Sequence, residues 1–336
     1  MFLRSKVFQM LALLVIVFTI TTISSPGWVN VFNLRQVMMN IAITGMFLCA
    51  VAPLLMSGMI DFSGSQVAVF IQVIFAQIMI ASGMNWIPGV ILAIIIGGII
   101  GYINAFFVVR LNLMAFIATM AMGTIAAGMA SWISRNIILP IPSTTFNGLT
   151  TIWVFDSIPL LFVVFIVLIV IYSFVLMKTT FGRSVLMCGG NQTAARLAGL
   201  NPDRIRTILF INSGAVAAIA GLMDASRLSG ANAGMGSMAT SMPHMQAFIA
   251  SIMGGVSFFG GSGSLVGAFF AVALIELLQY GTMVMGLPNA LNQFINGMLL
   301  IIALSIDFIA MRRRMKKLGI KAAANDGPVM PGVARR

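Results

Sequence analysis

Ten apolar runs dominate the chain, each close to the roughly 20 residues that a helix needs to cross a bilayer. They lie at about 7–23, 37–60, 63–82, 88–109, 113–133, 158–177, 207–226, 244–259, 265–285 and 289–310. Short polar joints separate them. Only closed barrels and helices satisfy every backbone group in lipid, and runs of this length without alternation predict helices. The expected fold is therefore an all-α polytopic membrane bundle of about ten transmembrane helices. Only 8% of the residues are charged, against about 25% in soluble domains, which excludes a water-soluble globular protein.

The net charge of +12 is read as topological rather than as a nucleic-acid signal. With the N-terminus inside and spans alternating, sixteen of the nineteen basic residues face the cytoplasm. Arg35, Arg135 and Arg227 fall outside. This asymmetry predicts that both termini and the long basic interval are cytoplasmic. Trp28, Trp86 and Trp153 fall at expected outer ends of spans, where interfacial aromatics collect. Arg4 and Lys6 before the first run also suit a signal peptide, but Ser24-Ser25-Pro26 makes a poor cleavage site, so an uncleaved first span is expected. The division is a permease domain over 1–311 and a basic tail over 312–336, small, polar and proline-broken enough to be disordered.

The one long polar stretch inside this frame is the loop 178–206. Lys178, Arg183, Arg196, Arg204 and Arg206 face a single acid, Asp203. Its centre reads as a short helix. Asn191 is a good N-cap, Gln192 to Ala198 are mostly helix formers, Gly199 suits the left-handed position after a helix end, and Pro202 blocks resumption. Two turns are too short to be stable alone in water. The helix needs a surface, either a partner protein or acidic lipid headgroups.

Little chemistry is available elsewhere. The two cysteines, Cys49 and Cys188, have no metal-ligand spacing, His244 is the sole histidine, and no G-x-x-x-x-G-K-[ST] loop occurs. Ionisable and amide groups in spans are functional candidates by default. Asp61, Gln66, Asn212, Glu276, Asn292 and Gln293 are candidates for a solute path, since amides both donate and accept; helix–helix adhesion is the competing role. Asp61 is expected at an inner hairpin turn, and Asp224 and Arg227, one turn apart, could pair. Gly263-x-x-x-Gly267 and Gly97-x-x-x-Gly101 are small-x-x-x-small packing faces. Two units, 63–110 and 262–312, share a Ser-Gly-Ser start, a proline about 25 residues on and a basic end, as in an internal repeat.

Gly189-Gly190-Asn191-x-x-Ala194-Ala195-Arg196-Leu197-x-Gly199 resembles the cytoplasmic motif of permease subunits of ribose-type sugar ABC importers. Arg110 to Thr119, Ala225-Ser226-Arg227-Leu228, the glycines Gly254, Gly255, Gly260, Gly261, Gly263 and Gly267, and Asp307 agree with the same family over about residues 30–310. The chain departs from that pattern at Ile60 to Ser65, one residue short, at Ala115-Phe116, and at His244-Met245-Gln246, where acids are usual. The resemblance implies an inner-membrane importer subunit with no cofactor or ATPase site of its own. ATP and Mg would be bound by cytoplasmic ATPase subunits that receive the helix at Gly190, Asn191, Ala194, Ala195, Arg196 and Gly199. A second permease copy or paralogue would complete the pathway, and an extracytoplasmic binding protein would deliver a sugar or similar small polar solute. The glycine block is assigned to helix packing, and no nucleic-acid partner is implied. The alternative is an ion-gradient-driven secondary transporter, which needs midplane acids; Glu276 is the one well placed.

Overall fold

The computed structural model describes residues 6–83, 85–233 and 243–317. Among them, nine helices are long and apolar enough to cross a membrane. They are α1 (Lys6–Ser24), α2 (Val31–Met56), α3 (Gly64–Ser82), α4 (Trp86–Ala105, extended by a π-helical turn Phe106–Arg110), α5 (Ala115–Ser134), α7 (Leu160–Lys178), α10 (Pro202–Leu228), α12 (Leu265–Val284) and α13 (Asn289–Lys317). Short helices α6 (Thr144–Asn147), α8 (Thr180–Gly190), α9 (Gln192–Leu197) and α11 (Pro243–Met253) complete the described set. The chain is a multi-pass membrane bundle.

The expected eighth span is the exception. Residues 244–259 form the eleven-residue α11 followed by a glycine-rich return. At 1.5 Å per residue α11 rises about 16 Å, half of a ~30 Å hydrocarbon layer. The apolar run predicted a crossing, but Gly254-Gly255 ends the helix early, with Gly255 at φ +106°. The two proposed repeat units do share an element order. Each is a helix, a non-helical segment, a long helix, a turn carrying a left-handed glycine (Gly83, Gly286) and a helix back.

α2 is the central mast. From Ile41 to Met56 every residue is buried, and α7, α10, α11 and α12 all pack on it. α4 and α10 pack closely along their lengths. Glycine permits it: an added Cβ at Gly97 would lie 2.5 Å from the Gly214 carbonyl oxygen, and one at Gly101 would lie 2.9 Å from the Phe210 carbonyl carbon. Helices in lipid associate by such close packing. Gly101→Ala is therefore expected to destabilise the bundle by about 2–3 kcal/mol, the upper range for overpacking. A lowered unfolding temperature of the detergent-purified protein would register this, whereas an unchanged one would mean that the pair separates freely.

Two small ladders brace the connections between the long helices. Leu139–Pro140 (β1) pairs antiparallel with Gly230–Ala231 (β4), and Trp153–Val154 (β2) with Ile158–Pro159 (β3). Arg35 at the start of α2 fastens the second ladder, donating to the Asp156 carbonyl and lying 4.0 Å from the Trp153 ring centre. The expected tail is helical to Lys317; residues 318–336, and residues 234–242 between α10 and α11, lie outside the described residues.

Candidate functional site

Three places carry polar or strained structure. On the loop 178–206, the Asn191 side chain caps α9 by accepting from the Ala194 N–H at 3.0 Å, and Gly199 is left-handed at φ +81°. The Asn201 side chain caps α10 by accepting from Arg204 N–H at 3.0 Å, with Pro202 at the first helical position. Within α9, Ala195 is buried, while Ala194 and Arg196, and Ala198 just after it, are exposed and Leu197 is 85% exposed. Arg196 reaches both carboxylate oxygens of Asp203 at 3.2 Å. Both side chains are half exposed, so the pair is worth at most about 1 kcal/mol and either partner is available to another protein.

The sequence reading missed α8. Its signal was present: Thr179 caps it, accepting from Gly182 N–H at 3.4 Å, and Phe181, Val185 and Cys188 recur at helical spacing. Val185 and Cys188 are buried, and burial pushes the Cys188 thiol above its ordinary pKa, against the opposing charge of Arg206. The thiol is thus a packing group.

α8 ends in a joint made of glycine backbone. A Cβ at Gly189 would overlap the Met56 carbonyl oxygen and stand 2.7 Å from the Gly261 nitrogen. One at Gly260 would lie 2.9 Å from both the Gly189 oxygen and the Gly58 nitrogen. Gly261 N–H donates to the Met56 carbonyl at 2.9 Å. The ends of α2 and α8 meet the segment between α11 and α12 here without an intervening side chain. The glycine block thus has divided tasks. Gly255, Gly260 and Gly261 take left-handed turns. Gly254 and Gly267 let α11 and α12 touch, and Gly263 lies against Met56 ahead of α12. The small face expected from Gly263 and Gly267 is not one helix face, because α12 begins at Leu265.

The second place is midway through the bundle. Asp61 is not at an inner turn. Residues 57–63 climb from the end of α2 in non-helical conformation, and Asp61 accepts from Ser213 Oγ at 2.7 Å. Ser213 is eleven residues into α10, about 16 Å along it. Asp61 also accepts from Ser63 N–H at 2.8 Å and Ser63 Oγ at 2.6 Å, and Asn104 Nδ2 donates to Ser63 Oγ at 3.0 Å. Phe62 N–H donates to Thr119 Oγ1 at 3.0 Å. Non-helical backbone at this depth is tolerated because it is enclosed in protein and partnered. The carboxylate also stands at the N-terminus of α3, the positive end of its dipole. His244, opening α11, is buried against Gly64, with its N–H donating to Ser65 Oγ at 3.4 Å.

The third is a cavity of about 130 Å³ walled by α2, α10, α11 and α12. Asn40, Thr44, Arg227, Gln246, Glu276 and Gln279 supply its polar lining. Thr44 Oγ1 donates to Glu276 at 2.5 Å, Arg227 Nη1 to Asn40 at 2.7 Å, Gln246 Nε2 to Gln279 at 2.9 Å, and Gln279 Nε2 to Asn296 at 3.0 Å. The expected Asp224–Arg227 pair is replaced. Gln72 Nε2 donates to Asp224 at 3.2 Å, and the one ion pair among the described residues is Arg196–Asp203.

Of the expected path residues, only Glu276 lines this cavity. Asp61 belongs to its own cluster. Asn212 accepts from the Tyr172 hydroxyl beside an apolar cavity of about 230 Å³, and Asn292 accepts from Thr282 Oγ1 at 2.5 Å. Gln66 is half-buried near Gly123, and Gln293 is exposed on α13. Arg227, Gln246 and Gln279 were not seen as one group, because they come from three helices separated in sequence. No group of three or more histidine, cysteine or acidic residues that could hold a metal occurs among the described residues.

A family model described as branched-chain amino acid transport system / permease component matches residues 10–304. The chain is 27% identical over 310 residues to the probable ABC transporter permease protein YphD of Escherichia coli K12, covering 91% of each chain. It is 29% identical over 301 residues to the L-arabinose transport system permease protein AraH of the same organism, covering 89% of this chain and 90% of that one. It is 27% identical over 302 residues to the ribose import permease protein RbsC of Bacillus subtilis, covering 88% and 90%. No solved structure matches.

Proposed function

We propose, because the chain belongs to the family described as branched-chain amino acid transport system / permease component, that it is the transmembrane permease subunit of an ATP-binding-cassette importer for a sugar or similar small polar solute. The relatives named for arabinose, ribose, fructose and galactose support the solute class, and the ion-driven alternative finds no support among them. The subunit resides in the bacterial cytoplasmic membrane with both termini inside, a placement that the basic-residue asymmetry supports. Two permease chains form the pathway, a binding protein delivers the solute, and partner subunits bind ATP and Mg and hydrolyse the nucleotide.

The observation that carries the reading is α9 together with the glycine joint behind it. An exposed Leu197 on a capped two-turn helix offers a side chain whose burial in a partner groove is worth about 1.5–3 kcal/mol. Gly190, Asn191, Ala194, Ala195, Arg196 and Gly199 define or flank that contact. Displacement of α8–α9 by a motor protein reaches the end of α2 and the segment between α11 and α12 through Gly189, Gly58 and Gly260–Gly261, where backbone meets backbone and little motion is lost in side-chain rotation. Replacing residues 191–199 with a glycine–serine linker is expected to lower co-purification of the ATPase by at least about tenfold, the equivalent of 1.4 kcal/mol, and to abolish ATP-dependent uptake. ATP-dependent transport surviving that replacement would refute the reading.

A further inference from the structure

The larger, apolar cavity lies where α7 and α10 both pack on α2. It measures about 230 Å³, and Pro53, Ile171, Val175, Phe181 and Ile208 supply its apolar walls. Ile171 and Ile208 are 48% and 43% exposed, so the space is a cleft open on the outer surface of the bundle. Its polar groups are already joined to one another. Pro53 has no N–H to give to the Cys49 carbonyl one turn back. Asn212 Nδ2 donates there instead at 3.4 Å, and the Tyr172 hydroxyl donates to Asn212 Oδ1. What the cleft leaves open is a hydrocarbon surface. Ile171 is seven residues before the end of α7 and Ile208 six after the start of α10, each about 10 Å along its helix, within one leaflet of a ~30 Å layer.

Both helices carry a basic residue one turn beyond the cleft. Lys178 follows Val175 by three residues on α7, and Arg204 precedes Ile208 by four on α10. These spacings put each charge on the same helix face as an apolar wall. α7 ends at Lys178 and α10 begins at Pro202, so the two charges stand at the same end of the cleft. Both are exposed, and neither joins an ion pair among the described residues. The one acid of the loop, Asp203, is held by Arg196. An apolar slot that ends in two unopposed cations matches a hydrocarbon chain that ends in an anion. A phosphodiester only accepts, and an ammonium and a guanidinium only donate. A zwitterionic headgroup would bring its own cation against the pair, and free phosphate would leave the slot unfilled. We propose that the cleft between α7 and α10 binds one anionic phospholipid, with an acyl chain against Pro53 and the headgroup phosphate between Lys178 and Arg204, bracing the proline-interrupted stretch of α2. Basic pockets between helices on the cytoplasmic side suit such headgroups. The inference rests on the permease reading above only for the side of the membrane on which the cleft opens.

The test titrates the full-length chain in detergent, alone and assembled with its ATPase subunits, with phosphatidylglycerol or phosphatidylcholine of identical chains. Lipid retained per chain is counted by native mass spectrometry, and the unfolding temperature is followed in parallel. Phosphatidylglycerol is expected to be retained and to raise the unfolding temperature at concentrations about tenfold below those at which phosphatidylcholine does. Glycerol phosphate, a headgroup without chains, is expected not to compete. The double variant Lys178→Gln/Arg204→Gln changes exposed side chains only, and is expected to erase the preference for phosphatidylglycerol while leaving phosphatidylcholine binding within about twofold. Val175→Phe narrows the slot and is expected to weaken retention of phosphatidylglycerol about tenfold; should it fail to fold, the charge variant decides. Equal retention of the two lipids, or a preference that survives the double variant, would overturn the inference. So would a preference seen in the isolated chain but lost in the assembled importer, since the cleft would then belong to a partner chain. Failure of the permease reading looks different: no ATPase subunit would assemble with the chain, while the lipid preference of the chain alone would remain.

Discussion

Replacing Asp61 with alanine is expected to be among the most damaging single changes in this chain. The substitution removes the acceptor of three hydrogen bonds, from Ser63 N–H, Ser63 Oγ and Ser213 Oγ, at a site only 4% exposed. Each buried donor left unsatisfied costs about 1–3 kcal/mol, so a loss of roughly 4–5 kcal/mol is anticipated after local rearrangement. Asp61→Asn keeps an oxygen for Ser63 and offers an amide to the Ser213 oxygen, and should lose less than half as much. Equilibrium unfolding of the purified protein separates the two. Equal stability of the alanine variant and the parent would remove Asp61 from the architecture of the half-way cluster.

The second large effect is expected at Gly189. A valine there would drive its Cβ into the Met56 carbonyl, with the Gly261 nitrogen bonded to that carbonyl also only 2.7 Å away. Both obstacles are backbone, so neither turns away as a flexible side chain would. A cost of roughly 3 kcal/mol or more follows from the upper range for overpacking. The functional consequence is sharper than the stability loss, because the displaced joint links α8 to both non-helical segments. ATP hydrolysis with strongly reduced uptake is the expected signature in assembled importer. Normal uptake by Gly189→Val would show that force travels by another route.

Much of this architecture was legible in the sequence because bilayers impose a length. Apolar runs alone located the nine long helices, and Asn191, Gly199 and Pro202 marked α9 and its limits by cap chemistry that needs no tertiary context. Depth was not legible. Asp61-Phe62-Ser63 looked like an inner turn because polar residues between apolar runs normally are one. The structure lifts it because Ser213, Thr119 and Asn104 on three other helices supply partners. The same limitation made 244–259 look like a span. The cavity was hidden for a related reason: Glu276 stood out as a lone acid, but its counterpart Arg227 was assigned to its sequence neighbour Asp224. Only packing shows that Arg227 turns towards Asn40.

The placement of α1 bears on how the protein is made. Its chief neighbour is α12, reached through Thr21 against Gly281, so roughly 240 residues separate Ser24 from the start of the surface it packs on. At about 5–20 residues per second of synthesis, the first helix waits some 10–50 seconds in the lipid before that surface emerges from the ribosome. A newborn chain must therefore hold α1 without its chief partner for that interval, and premature docking of α1 elsewhere is the misassembly to which this topology is most exposed.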